Sequence, residues 1–285
     1  MRILVLAFWV IEMLALAIYI RSCWPERTRT SFHIKVLCAT IFLAYGIVLA
    51  GIASWGVNLS FVSGVDTNEL SAGANTFEQF ANGTGTDRVA HLIIAALAYG
   101  WIGDFCLGLA HQIKGGANTA EEKDVDLKSQ AKNRKTTVNA LGVLAFILGH
   151  CLYCVAFGRG IAGYEFGLHW WSAILFALPL IAYGVIGVKL KLGKHLVPLG
   201  VYFAAVAAMF GLAMTLGIQL WSLSKAFSLC LMIGATFFAL SDLGLSLESY
   251  GGERFQSFPL RVCRQIAYFS GQMFLATTIL FFYTV

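Results

Sequence analysis

The sequence predicts an all-α, polytopic membrane protein, a bundle of eight transmembrane helices with both termini on the non-cytosolic side. Three observations carry that expectation. Of 285 residues, 58 % are hydrophobic and 12 % charged, with mean hydropathy +0.74, whereas soluble domains are roughly half apolar and about a quarter charged. The apolar residues gather into eight runs, each near the roughly 20 residues that cross about 30 Å of hydrocarbon. The cations alternate between successive loops. A soluble globule, a fibrous protein and a disordered chain are all excluded by this composition.

The runs cover about 2–20, 36–56, 89–112, 138–158, 169–188, 196–218, 222–247 and 261–284. Each must be helical, because lipid offers no partner for backbone N–H and C=O groups and the runs far exceed a barrel strand. The first run lacks a small-residue cleavage pattern before Arg21 and is read as a helix, not a signal peptide. Sixteen Lys and Arg residues fall in the odd loops, among them Arg21, Lys35, Lys114, Lys132, Lys191, Arg261 and Arg264. Four, Arg2, Arg88, Arg159 and Lys225, fall on the other side. The positive-inside rule then places the odd loops in the cytosol. The net charge of +5 reads as membrane-surface charge, since no continuous basic face offers itself to nucleic acid.

The second loop, about 57–88, is Gly/Asn/Thr-rich and acidic, and holds the sequons Asn58-Leu59-Ser60 and Asn82-Gly83-Thr84. The third, Gly115 to Thr137, mixes charges of both signs and reads as a solvated linker. No internal repeat or soluble domain is evident, so residues 1–285 form one membrane domain. The seven cysteines, Cys151-x-x-Cys154 included, read as small hydrophobes inside apolar runs.

Ionisable side chains within a span cost roughly 2.5–3.5 kcal/mol at its centre, so those present point to a site facing the bundle interior. They are Glu12 in the first span, His91 and Asp104 in the third, His150 in the fourth and Asp242 in the seventh. By topology Asp104 and Asp242 share the cytosolic half. Tyr268 and Gln272, four apart on one helical face, stand at a similar height, and Tyr153 follows His150 on its face. Small residues flank both acids, Gly103 and Gly108 beside Asp104, and Gly234, Ala235, Ser241 and Gly244 beside Asp242. They let helices approach closely and a short carboxylate reach across. Taken singly, Tyr153, Tyr202 and Tyr268 also suit ordinary packing, and the two aspartates suit structural hydrogen bonding.

The set Gly103-Asp104-x-x-Leu107, Phe146-x-x-x-His150-x-x-Tyr153, Gly234-Ala235-x-x-Phe238-x-x-Ser241-Asp242 and Tyr268-x-x-x-Gln272 falls in order on spans three, four, seven and eight. It resembles the lysoplasmalogenase (YhhN-like) family of integral membrane proteins over about residues 100–280. The resemblance implies hydrolysis of the vinyl ether of a lysoplasmalogen to a fatty aldehyde and a glycerophospho-alcohol, glycerophosphoethanolamine or glycerophosphocholine. It makes Asp104 and Asp242 the catalytic candidates and His150, Tyr153, Ser241, Tyr268 and Gln272 the substrate-binding ones. No metal or other cofactor is implied. Vinyl-ether cleavage needs a proton donor and a second group to activate water or stabilise an oxocarbenium ion, duties that two carboxylates in different environments can divide. Asp242 is assigned as the acid and Asp104 as the other carboxylate, with the reverse assignment open. Lys114, Arg261 and Arg264 are candidates for the headgroup phosphate.

The expected partners are a lysophospholipid substrate and the bilayer, with a homo-oligomer compatible. A bacterial inner membrane and a eukaryotic endoplasmic reticulum fit equally. Other classes stay open on the residues alone: a zinc-dependent membrane lipid hydrolase, a haem-bearing anchor using His91 and His150, and a proton-coupled or lipid transporter protonated at the two aspartates.

Overall fold

The computed structural model describes residues 2–23, 29–54, 86–117, 125–163, 167–190 and 196–283. The second loop with its two sequons lies outside the described residues. Among the described residues every regular element is a helix, and eight are long and apolar enough to cross a membrane. In chain order they are α1 (Arg2–Ser22), α2 (Arg29–Ser54), α3 (Thr86–Ala117), α4 (Val125–Gly163), α5 (Ser172–Lys189), α6 (Leu196–Gln219), α7 (Lys225–Tyr250) and α8 (Phe258–Thr277). A short 3₁₀ turn, Glu253–Phe255, precedes α8, and a five-residue α9 (Ile279–Tyr283) continues it.

Two expectations are corrected. The third loop is much shorter than a 115–137 linker, because α3 runs to Ala117 and α4 begins at Val125. Its Lys, Asn and Gln residues carry no hydropathy signal, yet they are adequate helix formers and simply prolong a span already nucleated. Lys35 is not a loop cation. It lies inside α2, on the same stripe as the buried Ser31, Cys38 and Phe42.

Local sequence explains the helix starts that matter for the site. Ser224 caps α7, its hydroxyl accepting from Phe227 N at 3.3 Å. Ser257 caps α8 in the same way through Leu260 N at 3.4 Å, with Pro259 in the first turn, where its missing N–H costs nothing.

The helices close into a ring in which α2, α3, α4, α6, α7 and α8 each pack on the next and α8 returns to α2. Helix α1 packs outside on α2 and α8, and α5 outside on α6. Lipid-facing and core-facing roles separate accordingly: 72 % of the most apolar window of the last span is buried, against 17 % in α5. Glycines bring the ring's backbones together, as expected where no hydrophobic force separates helix from lipid. A Cβ on Gly149 of α4 would meet Ala96 O of α3 at 3.2 Å, and one on Gly271 of α8 would meet Phe238 N of α7 at 3.0 Å.

The ring interior has two unlike halves. One is dry, filled by fully buried Leu49, Ile93, Leu97, Phe157, Met209, Leu216, Leu231 and Leu275. The other contains Lys35, Asp104, His150, Asp242, Tyr268 and Gln272. Because neighbouring helices run in opposite directions, this division falls near the start of α2, late in α3, midway along α4 and late in α7.

Candidate active site

Six helices of the ring each deliver a polar side chain to one place. Asp104 of α3 is 2 % exposed, and Lys35 of α2 sets its ammonium 2.7 Å from Oδ1. Asp242 of α7 is equally enclosed, with Oδ2 3.3 Å from His150 Nε2 of α4, off the axis of a hydrogen bond. Tyr202 of α6 lies against Asp242, and Tyr268 of α8 lies against Asp104 and Gln272. Each of these two tyrosine hydroxyls is within electrostatic reach of both carboxylates, so the two acids occupy a single cluster.

The supporting geometry follows from the spacing of residues along each helix. On α8, Tyr268 and Gln272 stand one turn apart, and both reach over Gly100 of α3: a Cβ there would lie 3.0 Å from Gln272 Nε2 and 3.5 Å from Tyr268 Oη. Gly103 accepts the ring of Phe146, to which a Cβ would approach within 2.6 Å. On α4, Tyr153 donates its hydroxyl to Gln272 Oε1 at 2.9 Å. One turn before His150, the Phe146 carbonyl lies 2.6 Å from His150 Nδ1. Phe238 and Tyr202 present their edges to the imidazole, with ring centroids 4.8 and 5.6 Å away.

That last backbone contact determines where protons sit. A carbonyl oxygen only accepts, so Nδ1 carries a hydrogen, and the neutral imidazole would then turn a lone pair on Nε2 toward Asp242 Oδ2. A proton on either atom would let His150 and Asp242 share it across that 3.3 Å. At the other acid, the Lys35 ammonium supplies a fixed countercharge. Asp104 Oδ2, Tyr268 Oη and Gln272 Nε2 make no well-aligned hydrogen bond among the described residues, although Tyr268 stands against both Asp104 and Gln272. Buried polar atoms are almost always paired, so these three leave the cluster capacity for a ligand's polar atoms.

Not every candidate joins the cluster. Ser241 is buried beside Asp242 but projects about 100° round α7 from it. His91 and His111 are exposed on α3, His33 is exposed on α2, and His195 lies outside the described residues. Among the described residues, no three or more His, Cys, Asp or Glu side chains come together as a metal set. Arg261 and Arg264 lie at the mouth of the ring, both bound to Glu248, while the side chain of Lys114 is not among those described.

Three participants carried no assignment from the sequence. Lys35 was grouped with loop cations, though its place on the Ser31–Cys38–Phe42 stripe marks it as inward-facing. Tyr202 looked like packing. Glu12 stood out as an in-span acid without a role; it is fully buried, its oxygens have no hydrogen-bond partner among the described residues, and it lies within electrostatic reach of Asp104.

A family model, described as the YhhN family, matches residues 70–279. The chain belongs to the YhhN family. This family includes lysoplasmalogenases. No curated protein and no solved structure matches the chain. Of the cluster, this YhhN protein draws Asp104, His150, Tyr153, Tyr202, Asp242, Tyr268 and Gln272 from the matched segment, and Lys35 and Glu12 from the two helices before it.

Proposed function

We propose that this YhhN protein is a lysoplasmalogenase, a membrane hydrolase that cleaves the vinyl ether of a lysoplasmalogen to a fatty aldehyde and a glycerophospho-alcohol. The observation supporting this is the pair of enclosed carboxylates with unlike partners, an ammonium at Asp104 and an imidazole at Asp242.

The chemistry fits that asymmetry. Cleavage starts with proton transfer to the β-carbon of the C=C–O unit, which places positive charge on the α-carbon and the ether oxygen. Water adds at the α-carbon and loses a proton, and the resulting hemiacetal collapses to aldehyde and alcohol, consuming one water overall. Asp242 supplies the proton, and His150, its Nδ1 held by the Phe146 carbonyl, keeps Nε2 turned toward that carboxyl. Asp104, ion-paired with Lys35, faces the developing cation and takes the proton from the attacking water. A preorganised negative charge in a site closed to bulk water stabilises such a cation far more than the same charge in solution. Tyr268, Tyr153 and Gln272 form a linked set of donors and acceptors for the ether oxygen and the water.

The test is purified protein incubated with 1-alkenyl lysophospholipids, with products read by mass spectrometry. The wild type releases one aldehyde per water-soluble phosphodiester. Asp104→Asn and Asp242→Asn, folded by thermal denaturation in detergent, release neither. Near-normal turnover in either variant, or wild-type protein inert toward vinyl ethers, overturns the proposal.

A further inference from the structure

At the same end of the ring as the carboxylates, α7 and α8 are joined by three charges. Glu248 accepts from Arg261 Nε through Oε1 at 3.2 Å and from Arg264 Nε through Oε2 at 2.9 Å. The Arg264 side chain is 9 % exposed and that of Glu248 14 %. One carboxylate is shared by two guanidiniums, which leaves these three side chains a formal charge of +1, with Arg264 enclosed and Arg261 22 % exposed at the rim. A buried charge without its counterpart is unfavourable, and an anion would remove the penalty. These two bonds to Glu248 run through Nε, the edge of the guanidinium opposite the terminal pair of nitrogens that matches a pair of phosphate oxygens.

A small void of about 10 Å³, room for one hydroxyl-sized group, lies beside this group between α1 and α8, lined by Tyr19, Ile20, Arg261, Val262 and Gln265 among others. Gln265 is 3 % exposed; its Nε2 donates to Tyr19 at 3.4 Å, while its Oε1 has no partner among the described residues. That oxygen accepts, so what it lacks is a donor such as a hydroxyl. The residues then continue along one face of α8: Arg261, Arg264 and Gln265, Tyr268, Gln272. From Arg264 to Tyr268 the helix rises about 6 Å, comparable to the separation of the phosphate and the sn-1 oxygen across a glycerol backbone. The stem of Arg264 also crosses Gly244, two residues beyond Asp242, where a Cβ would lie 3.4 Å from its Cγ.

We infer that the Arg261–Glu248–Arg264 group is the phosphate-binding subsite for a lysophospholipid headgroup. The neighbouring Gln265 takes the free sn-2 hydroxyl, which places the sn-1 ether at Tyr268 and the two carboxylates. The inference rests on the lysophospholipid reading above, and it gives that reading a basis for preferring one acyl or alkenyl chain: a second chain at sn-2 would leave the Gln265 oxygen without its donor.

Binding tests it separately from catalysis. Full-length protein in detergent is titrated with a saturated 1-alkyl lysophosphocholine, which cannot be cleaved, with the matching 1-alkyl glycerol, which has no phosphate, and with inorganic phosphate. The wild type is expected to bind the phosphorylated lipid about tenfold or more tightly than the alkyl glycerol. Arg264→Gln and the more exposed Arg261→Gln lose that preference while keeping their affinity for alkyl glycerol, which also shows that each variant is folded. Equal affinities of wild type and both variants for the phosphorylated lipid overturn the inference. So does inorganic phosphate binding as tightly as the lipid, which would identify a free-anion site. If the phosphate preference disappears in the variants but the wild type cleaves no vinyl ether, the subsite stands and the reaction assignment falls. If cleavage proceeds with unchanged KM in both variants, the reaction stands and the subsite falls.

Discussion

Asp104 and Asp242 are the same residue type, enclosed to the same degree in the same ring of helices, yet one meets a primary ammonium and the other an imidazole. The difference teaches that the partner, not the depth, divides their work. An ammonium gives a carboxylate a constant countercharge. An imidazole whose other nitrogen is already committed to a carbonyl can hold a proton or release it. Under the proposed reaction, two acids that are indistinguishable in the sequence would become a proton source and a charge stabiliser through what stands opposite each.

The sharpest way to break that comparison is to neutralise the proton source. Asp242→Asn is expected to lower turnover by about 10²–10⁴-fold, the usual value of a general acid, with KM little changed. Near-normal turnover at Asp242→Asn would leave no proton source and would overturn the proposed reaction.

The two partners should also differ in stability. Lys35→Met leaves Asp104 as an uncompensated buried charge and is expected to cost about 3–5 kcal/mol, most of it recovered in the double variant Lys35→Met/Asp104→Asn. His150→Leu should cost less, since Asp242 can take up a proton and become neutral. Thermal denaturation of the four proteins decides the matter, and equal losses at both sites would remove the distinction.

Smaller effects sharpen the picture. Gly103→Leu forces a side chain into the Phe146 ring, and about 1–3 kcal/mol of destabilisation is expected from such overpacking, with a matching shift in melting temperature. Tyr153→Phe removes only the 2.9 Å bond to Gln272, so about 0.5–1.5 kcal/mol and a few-fold drop in turnover are expected. Unchanged kinetics there would take Gln272 out of the set that orients substrate.

The spans were legible because a bilayer leaves a chain almost no alternative: a run of some twenty apolar residues must satisfy its own backbone, and helix is the only local answer. The first turns of α4 were not, because Lys132, Asn133 and Arg134 form a water-facing helix with no apolar periodicity to betray it. The in-span acids and His150 were conspicuous for the insertion cost each carries. Lys35 escaped notice for the opposite reason. Counting cations by loop treats any lysine near a span end as topology signal, and only the buried stripe Ser31–Lys35–Cys38–Phe42 shows that this one turns inward. The choice of partner for each acid depends on which helices adjoin in the ring, and no hydropathy pattern encodes that.

The dry half of the ring has a further consequence. With Leu97, Phe157, Met209, Leu231 and Leu275 packed across it, and hydroxyls such as Thr215, Ser228 and the Tyr45–Thr277 pair among them, the described residues of this half form a mainly apolar plug. Under the proposed reaction, the water-soluble fragment would depart by the side on which its parent arrived, while the oily fragment would slip sideways into the leaflet. The two halves of a severed lipid would thus be sorted by solubility at the moment of cleavage, without expenditure of any ion gradient.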